Sequence, residues 1–185
     1  MNGWHTRRAV ETLRQGGVIA YPTEAVWGLG CDPFNEHAVA RILKMKRRPV
    51  EKGLILVAGA LSQIQFLLDP LTEQQRATLR ASWPGPVTFL IPDLLDQVPH
   101  WVKGEHDSVA VRVSQHPLIR DVSKHFDGPI VSTSANPAGK EPARDRLKVN
   151  LYFRSEVDTI VPGDLGDQAQ PSQIRDLRSG RILRS

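Results

Sequence analysis

The sequence predicts an α/β fold with a mixed parallel and antiparallel sheet flanked by helices. Helical and strand-like segments alternate along the 185 residues, as expected for a sheet joined by crossover helices. The chain shows no internal repeat, low-complexity tract or long linker. We therefore expect residues 1–185 to form a single domain, large enough to bury a core without disulfides or a structural metal.

Composition restricts the class of protein. Cys31 is the only cysteine, which rules out an intramolecular disulfide and suits a reducing compartment. The start, "MNGWHTRRAVETLRQGG", lacks an apolar core of signal-peptide length, and no apolar run approaches the ~20 residues of a membrane span. These features predict a cytoplasmic protein. The net charge of +4 fits either solubility alone or a polyanionic partner, such as a nucleotide or RNA.

The first half of the chain contains two predicted helices and two predicted strands. The first helix spans residues 6–15 and ends at Gly16 and Gly17, and "VIAY" follows as a strand that Pro22 stops. In the second helix, "NEHAVARILKMK", Asn35 is the N-cap and the last turn is basic. The run "GLILVA" is typical of a buried strand.

The second half continues the alternation. The helix "TEQQRATLRASW" opens with Thr72 and Gln75 at the spacing of a capping box. "WPGP" is a turn before the strand "VTFLI", and "DSVAVRV" is a further strand. The helix "HPLIRDVSKHF" and the strand "PIVST" follow. The tail "QIRDLRSGRILR" predicts a hairpin about Ser179 and Gly180.

The places where strands end are the predicted location of a ligand site, because ligands of open α/β sheets bind at the carboxyl ends of strands. Three such exits read "YPTEAVWG", "VRVS" and "STSAN". Alternation along "DSVAVRV" puts small residues and one arginine on a single face: Ser108, Ala110, Arg112 and Ser114. That arginine is suited to a carboxylate, or is an ordinary arginine on a solvated face.

In "VSTSAN", Ser132, Ser134 and Asn136 share one face if the strand continues. They are suited to hydrogen-bonding a phosphate, a ribose or a small polar substrate, or they form a polar turn. A catalytic serine is disfavoured, because no G-x-S-x-G or S-x-x-K motif and no evident base accompanies it. "GLG", residues 28–30, lacks the third glycine of a dinucleotide signature.

Five cations are crowded into residues 44–52. At about 100° per residue, Lys46 falls inside the apolar stripe of its helix, and Arg48 precedes Pro49, which favours an extended backbone. A lysine in an apolar stripe must snorkel or meet an anion, and a triphosphate is such an anion. The alternative is a set of solvated cations favoured by the helix dipole. With no nucleophile or base evident, the pattern indicates positioning chemistry such as nucleotidyl transfer.

Seven motifs together resemble the YrdC-like family of threonylcarbamoyl-AMP synthases, in the short bacterial form. In order they are "YPTEAVWGLGCDP", "KMKRRPVEKGLILV", "WPGPVTFL", "DSVAVRV", "HPL", "VSTSAN" and "PSQIRDL". The resemblance covers residues 17–184 and implies a twisted sheet around a large, positively lined concave cleft. It also implies that L-threonine, bicarbonate or CO2 and ATP give threonylcarbamoyl-AMP and pyrophosphate. Partner proteins would then transfer the threonylcarbamoyl group to tRNA beside the anticodon.

The resemblance also implies roles for residues that match the family's motifs. Lys46 and Arg48 resemble a K-x-R pair that grips the ATP phosphates, and they are the candidate catalytic residues. The implied ATP-binding residues are Lys46, Arg48, Lys52, Ser108, Ser134, Asn136 and Arg184. The implied threonine-binding residues are Thr23, Arg112, Ser132 and Ser172. Mg²⁺ is expected to accompany ATP, without a metal ligated by the protein. The sequence departs from many relatives at Ala25 and Val57, near the threonine pocket.

Two other functions compete with this one. Related domains in hydrogenase-maturation proteins adenylate a carbamoyl group from carbamoyl phosphate, but those proteins are long and cysteine-rich, unlike a chain with one cysteine. An RNA-binding module would explain the basic cluster, yet the chain has no RNP-like aromatic motif. RNA or tRNA binding in the cleft is compatible with the synthase activity.

Overall fold

The computed structural model describes residues 3–168, 170 and 172–184, and within them it contains seven α-helices and nine β-strands. The helices are α1 Gly3–Arg14, α2 Glu36–Lys46, α3 Gln65–Leu68, α4 Glu73–Ser82, α5 His100–Lys103, α6 Pro117–Phe126 and α7 Arg146–Phe153. The strands are β1 Ile19–Pro22, β2 Trp27–Gly30, β3 Ile55–Ala58, β4 Val87–Pro92, β5 Ser108–Val113, β6 Ile130–Ser134, β7 Thr159–Ile160, β8 Gln173–Asp176 and β9 Ile182–Arg184. None of these helices has the length and hydropathy that crossing a membrane requires.

The strands form one mixed sheet in the order β7-β1-β2-β6-β3-β5-β4-β8-β9. The pairs β1–β7, β3–β5 and β4–β8 are parallel, and the other neighbours are antiparallel. This confirms the predicted fold class. It also confirms the tail hairpin, in which β8 pairs with β9 and Gly180 has a φ of 70°. Pro171, which opens the motif "PSQIRDL", lies outside the described residues.

The predicted starts of α2 and α4 are confirmed by their capping bonds, whereas α1 begins at Gly3, three residues before the predicted start. The backbone N–H of Ala38 donates to the side chain of Asn35 at 3.0 Å, which caps α2. At α4, the Gln75 N–H donates to Thr72 Oγ1 at 3.3 Å and the Thr72 N–H donates to Gln75 Oε1 at 3.0 Å. This is the reciprocal capping box that the spacing predicts.

Several elements were not predicted from the sequence. Strand β2 lies in "WGLG", where two glycines lower the strand propensity and obscure the antiparallel pairing with β1. Helix α7 buries Val149 and Phe153 at helical spacing, but its exposed leucines, Leu147 and Leu151, obscure that period in the sequence. The short elements α3, α5 and β7 span two to four residues, too few to show a periodicity.

The two faces of the sheet are covered differently. On one face, residues such as Leu56, Val111 and Phe89 join a large buried cluster that includes side chains of α2, α3, α4, α5 and α7. On the other face, α1 and α6 pack only over one part, which carries Ile19, Tyr21, Val57 and Ile130. The remainder of that second face is left open, and it forms the floor of the cavity described below.

Candidate functional site

A cavity of about 480 Å³ lies over the open part of the sheet. Its floor is made by side chains that share one face through strand register, because Ser132 pairs with Ile55, Ile55 with Ala110 and Ala110 with Leu90. The β1–β2 turn, the segment after α2 and the β8–β9 hairpin form the walls. The described lining residues include no carboxylate but five cations: Arg48, Lys52, Lys103, Arg112 and Arg184.

Most of the residues singled out in the sequence meet at this cavity. The residues of that set that line it are Thr23, Arg48, Lys52, Ser108, Arg112, Ser132, Ser134, Ser172 and Arg184. The face of β5 that alternation predicts as polar, with Ser108, Ala110 and Arg112, is the face that lines the cavity. Lys46 and Asn136 do not line it.

Lys46 lies beneath the turn that follows β6, with 5% of its surface exposed. Its Nζ donates to the carbonyl oxygen of Ser134 and, at 2.8 Å, to that of Asn136. Burial, with the nearby charge of Arg48, lowers the pKa of Lys46 from 10.5 to about 8. The lysine in the apolar stripe therefore meets two backbone carbonyls and holds the "STSAN" turn, whose Ser134 lines the cavity.

Asn136 folds the loop that comes after that turn. Its Nδ2 donates to the carbonyl oxygens of Pro137 at 3.2 Å and Lys140 at 2.7 Å. Its own carbonyl oxygen accepts from Lys46. Asn136 thus contributes to the site by shaping the loop beside Ser134.

Arg48 lies between Arg47, which ends α2 in the left-handed conformation, and Pro49, which is extended. Its Nε and Nη2 both donate to the carbonyl oxygen of Gly53, at 3.1 and 2.8 Å, and Nη2 also reaches the carbonyl of Lys52 at 3.2 Å. These bonds tie the guanidinium to the turn that carries Lys52 into the cavity wall. Burial lowers the pKa of Arg48, so a bound anion would relieve the desolvation of its charge.

Glu24 is a site residue that the sequence analysis missed. Its carboxylate accepts from Arg112 Nη2 at 2.7 Å and from the hydroxyl of Ser114, and the Glu24 and Arg112 side chains are 8% and 10% exposed. This bond pattern joins two of the predicted strand exits, "YPTE" and "VRVS", and it orients the arginine at the cavity. The available signal was an acidic residue two positions after the end of β1, at a predicted ligand-binding edge.

Two hydroxyl pairs complete the cavity floor. The phenol of Tyr21 donates to Ser132 Oγ at 2.8 Å, and Thr88 Oγ1 lies 2.7 Å from Ser172 Oγ. The sequence analysis named the two serines but neither partner, because only the strand register brings them together. Arg184 Nη2 donates to the Ser172 carbonyl at 2.7 Å and so fixes the hairpin to the same wall.

The electrostatics of the site favour an anion. Burial lowers the pKa of Arg184, and the charge of Arg112 lowers it further, so the two guanidiniums repel each other across one space. Lys103, on the unpredicted helix α5, is partly neutralised by Asp93 at 2.9 Å and by Asp96. A ligand with carboxylate or phosphate groups would satisfy the cations that lack such a partner.

The described residues contain no cluster of three His, Cys, Asp or Glu side chains that could hold a metal ion. Cys31 is buried, and burial raises the pKa of its thiol, so it is a core residue and not a nucleophile. Val57 packs beneath α6, on the covered part of the same sheet face, and does not line the cavity. The arrangement is suited to holding and aligning anionic substrates, with reactivity supplied by the substrates themselves.

A family model named Sua5/YciO/YrdC, with the description "Telomere recombination", matches residues 11–185. A protein of Hahella chejuensis named threonylcarbamoyl-AMP synthase is 54% identical over 184 residues, which are 100% of this chain and 100% of that protein. A protein of Pseudomonas aeruginosa with the same name is 53% identical and covers 100% of this chain and 98% of its own.

Solved structures are similar as well. P. abyssi Sua5 complexed with L-threonine superposes with a TM-score of 0.90 at 30% identity, over 98% of this chain. This chain spans about half of that one, 53%. YciO from E. coli gives a TM-score of 0.85 at 25% identity, over 100% of this chain and 90% of its own.

Proposed function

The chain belongs to the Sua5/YciO/YrdC family, and on that premise we propose that it is a threonylcarbamoyl-AMP synthase. It converts L-threonine, bicarbonate or CO2 and ATP to threonylcarbamoyl-AMP and pyrophosphate. The observation that carries the proposal is a single cavity that combines cations for a polyphosphate with an oriented arginine and hydroxyls for a small amino acid. Full-length relatives more than 50% identical, named for this reaction, support it.

The nucleotide end is proposed to lie where Arg48, Lys52 and Arg184 meet Ser108 and Ser134. The triphosphate carries several negative charges, and these groups provide cations and hydroxyl donors in one cavity. Lys46 and Asn136 are proposed to act on ATP through the Ser134 turn that they hold. Arg48 is proposed to stabilise the charge that develops on the leaving pyrophosphate.

The amino-acid end is proposed to lie at Arg112, whose guanidinium would bind the threonine carboxylate. Glu24 keeps that guanidinium in place without occupying the cavity. The hydroxyls of Thr23, Ser132 and Ser172 line the same cavity and would hydrogen-bond the polar atoms of threonine. The small side chains of the floor, such as Ala110, leave room for a small substrate.

The reaction then needs alignment more than an enzymatic nucleophile. The amine of threonine attacks CO2 and loses a proton, which gives a carbamate. A carbamate oxygen attacks the α-phosphorus of ATP as the bond to the β-phosphate oxygen breaks, and pyrophosphate leaves with that electron pair. The described lining has no carboxylate to ligate Mg²⁺, so the ion is proposed to arrive with ATP, and no step is assigned to it.

The product is a labile mixed anhydride, so a partner must consume it. We propose tRNA threonylcarbamoyl-transfer proteins in the cytoplasm, where ATP and tRNA are present, and we propose that residues 1–185 act as one domain. The cations of the cavity are also suited to RNA phosphates. Competition between tRNA and ATP for the protein would test that additional role.

The test is pyrophosphate release from ATP and bicarbonate, with and without L-threonine, and identification of the product by mass. Threonine-dependent release with a threonylcarbamoyl adenylate is the expected result. Replacing bicarbonate and threonine with carbamoyl phosphate tests the hydrogenase-maturation type of reaction. Pyrophosphate release from ATP that requires carbamoyl phosphate, and that does not occur with L-threonine and bicarbonate, would overturn the proposed function.

A further inference from the structure

Tyr21 reaches across the sheet to the cavity floor. It lies in β1, and its phenol donates to Ser132 Oγ on β6 at 2.8 Å. In the sheet, β2 lies between these two strands. The tyrosine ring must therefore pass over β2 to make this bond.

The ring passes over two glycines of β2, and Gly30 is the one whose lack of a side chain it requires. A Cβ at Gly30 would come within 2.8 Å of Tyr21 Cε1, and a Cβ at Gly28 within 3.5 Å of Cζ. The "GLG" sequence, which is a weak dinucleotide signature, thus leaves the Tyr21 face of β2 without side chains at Gly28 and Gly30, while Leu29 packs in the core on the other face. Its physical role is to let Tyr21 reach Ser132.

The direction of the hydrogen bond determines what Ser132 offers to a ligand. Tyr21 is completely buried, and burial raises the pKa of its phenol, so the proton stays on the oxygen at neutral pH. Among the described residues the phenol has no hydrogen-bond partner besides Ser132. A serine hydroxyl that accepts from Tyr21 keeps its own proton free to donate. Because Ser132 lines the cavity, that proton is available to a ligand there.

Two groups near Ser132, Arg112 and Thr23, also have defined roles as hydrogen-bond donor and acceptor. The charges of Arg112 and Glu24 both act on the Tyr21 phenol, so the guanidinium lies close to the Tyr21–Ser132 pair. Thr23 Oγ1 instead donates to the Val26 carbonyl at 2.7 Å, which leaves it as an acceptor. The cavity thus presents donors at Arg112 and Ser132, and an acceptor at Thr23.

We propose that Tyr21 is a positioning residue that fixes Ser132 as a hydrogen-bond donor and thereby selects the carboxylate of the amino-acid substrate over an uncharged carboxamide. The inference rests on the proposed function. A carboxylate accepts from both donors. A carboxamide turns N–H groups toward one of them and leaves that donor unsatisfied.

The test is Tyr21→Phe, which keeps the ring and removes the phenol oxygen. Tyr152→Phe is the matched control, because the chain has two tyrosines and Tyr152 donates to the Glu141 carbonyl, and neither of these residues lines the cavity. In Y21F we expect KM for L-threonine to rise by about tenfold with little change in kcat, the effect of one lost hydrogen bond. The preference for L-threonine over L-threoninamide is measured as the inhibition constant of L-threoninamide divided by the KM for L-threonine. We expect this ratio to fall by a similar factor in Y21F. Y152F should change neither.

Ser132→Ala and the double variant complete the experiment. Because Tyr21 is proposed to act through Ser132, Y21F should add nothing to KM in the S132A background. Additive effects, or a Y21F variant that loses thermal stability while keeping its preference for threonine, would overturn the inference. Wild-type protein that neither binds L-threonine in calorimetry nor turns it over would overturn the proposed function, and the inference with it.

Discussion

Replacement of Lys46 by methionine tests the role of the buried ammonium directly. Methionine preserves most of the side-chain volume and removes the donor to the carbonyls of Ser134 and Asn136. At pH 7 we expect the free energy of unfolding to fall by about 1–3 kcal/mol, the cost of leaving part-buried acceptors without a donor. The "STSAN" turn should loosen, and KM for ATP should rise because Ser134 loses its fixed position.

The dependence of this loss on pH has a definite sign. The pKa of Lys46 is lowered from 10.5 to about 8 in the folded protein. Between those two values the unfolded chain binds more protons at this residue than the folded chain, so the stability that wild type derives from Lys46 rises with pH. The full difference corresponds to roughly 3 kcal/mol, at about 1.4 kcal/mol per pH unit. Relative to K46M, wild type should therefore become more stable between pH 8 and pH 10.5.

Urea denaturation of wild type and K46M at pH 7, 8, 9 and 10 measures this difference. Other groups with shifted pKa values, such as Tyr21 and Cys31, are present in both proteins and cancel. Lys44→Met is the matched control, because Lys44 is an exposed lysine of the same helix. A stability difference between wild type and K46M that stays flat across this pH range would refute the reasoning about the buried ammonium.

Two further predictions follow from the contacts at the site. Glu24→Ala leaves the buried Arg112 guanidinium without its carboxylate, so urea denaturation should show a loss of about 3–5 kcal/mol. Glu24→Gln keeps a hydrogen-bond acceptor and should cost clearly less, and equal losses would contradict an effect of charge. Arg48→Ala removes a cation from the cavity wall and the support of the Lys52 turn, so KM for ATP should rise at least about tenfold in pyrophosphate-release assays. Arg47→Ala, an exposed neighbour, should leave it unchanged.

The sequence predicted local features well because their causes are local. The cap at Asn35, the capping box at Thr72 and the tail hairpin depend on residues within a few positions of each other, and all are present. The polar face of β5 also follows from simple alternation. Strand β2 was missed because its pairing with β1 and β6, and not its composition, makes it a strand.

The candidate site also has features that the sequence predicts locally and features that depend on contacts between distant segments. Residue type and the order of the motifs were enough to identify the cations, the hydroxyls and Arg112 as site candidates. They were not enough to show that Lys46 contacts carbonyls of the "STSAN" turn, because Ser134 lies 88 positions further along the chain. Nor did they show which residues orient the ligand-binding groups, since Glu24 and Tyr21 look like an ordinary acid and an ordinary core aromatic in the sequence.

The sequence alone determined the α/β class, the capped starts of α2 and α4 and the chemistry available for binding anions, because periodicity, capping and charge are properties of short segments. Only the tertiary structure decided which of those groups meet. The strand order β1-β2-β6 brings Tyr21 over two glycines to Ser132, and the β1 and β5 exits bring Glu24 to Arg112. Such contacts depend on register and burial between distant segments, and burial is what makes the charges and hydrogen bonds at this site strong enough to orient a ligand.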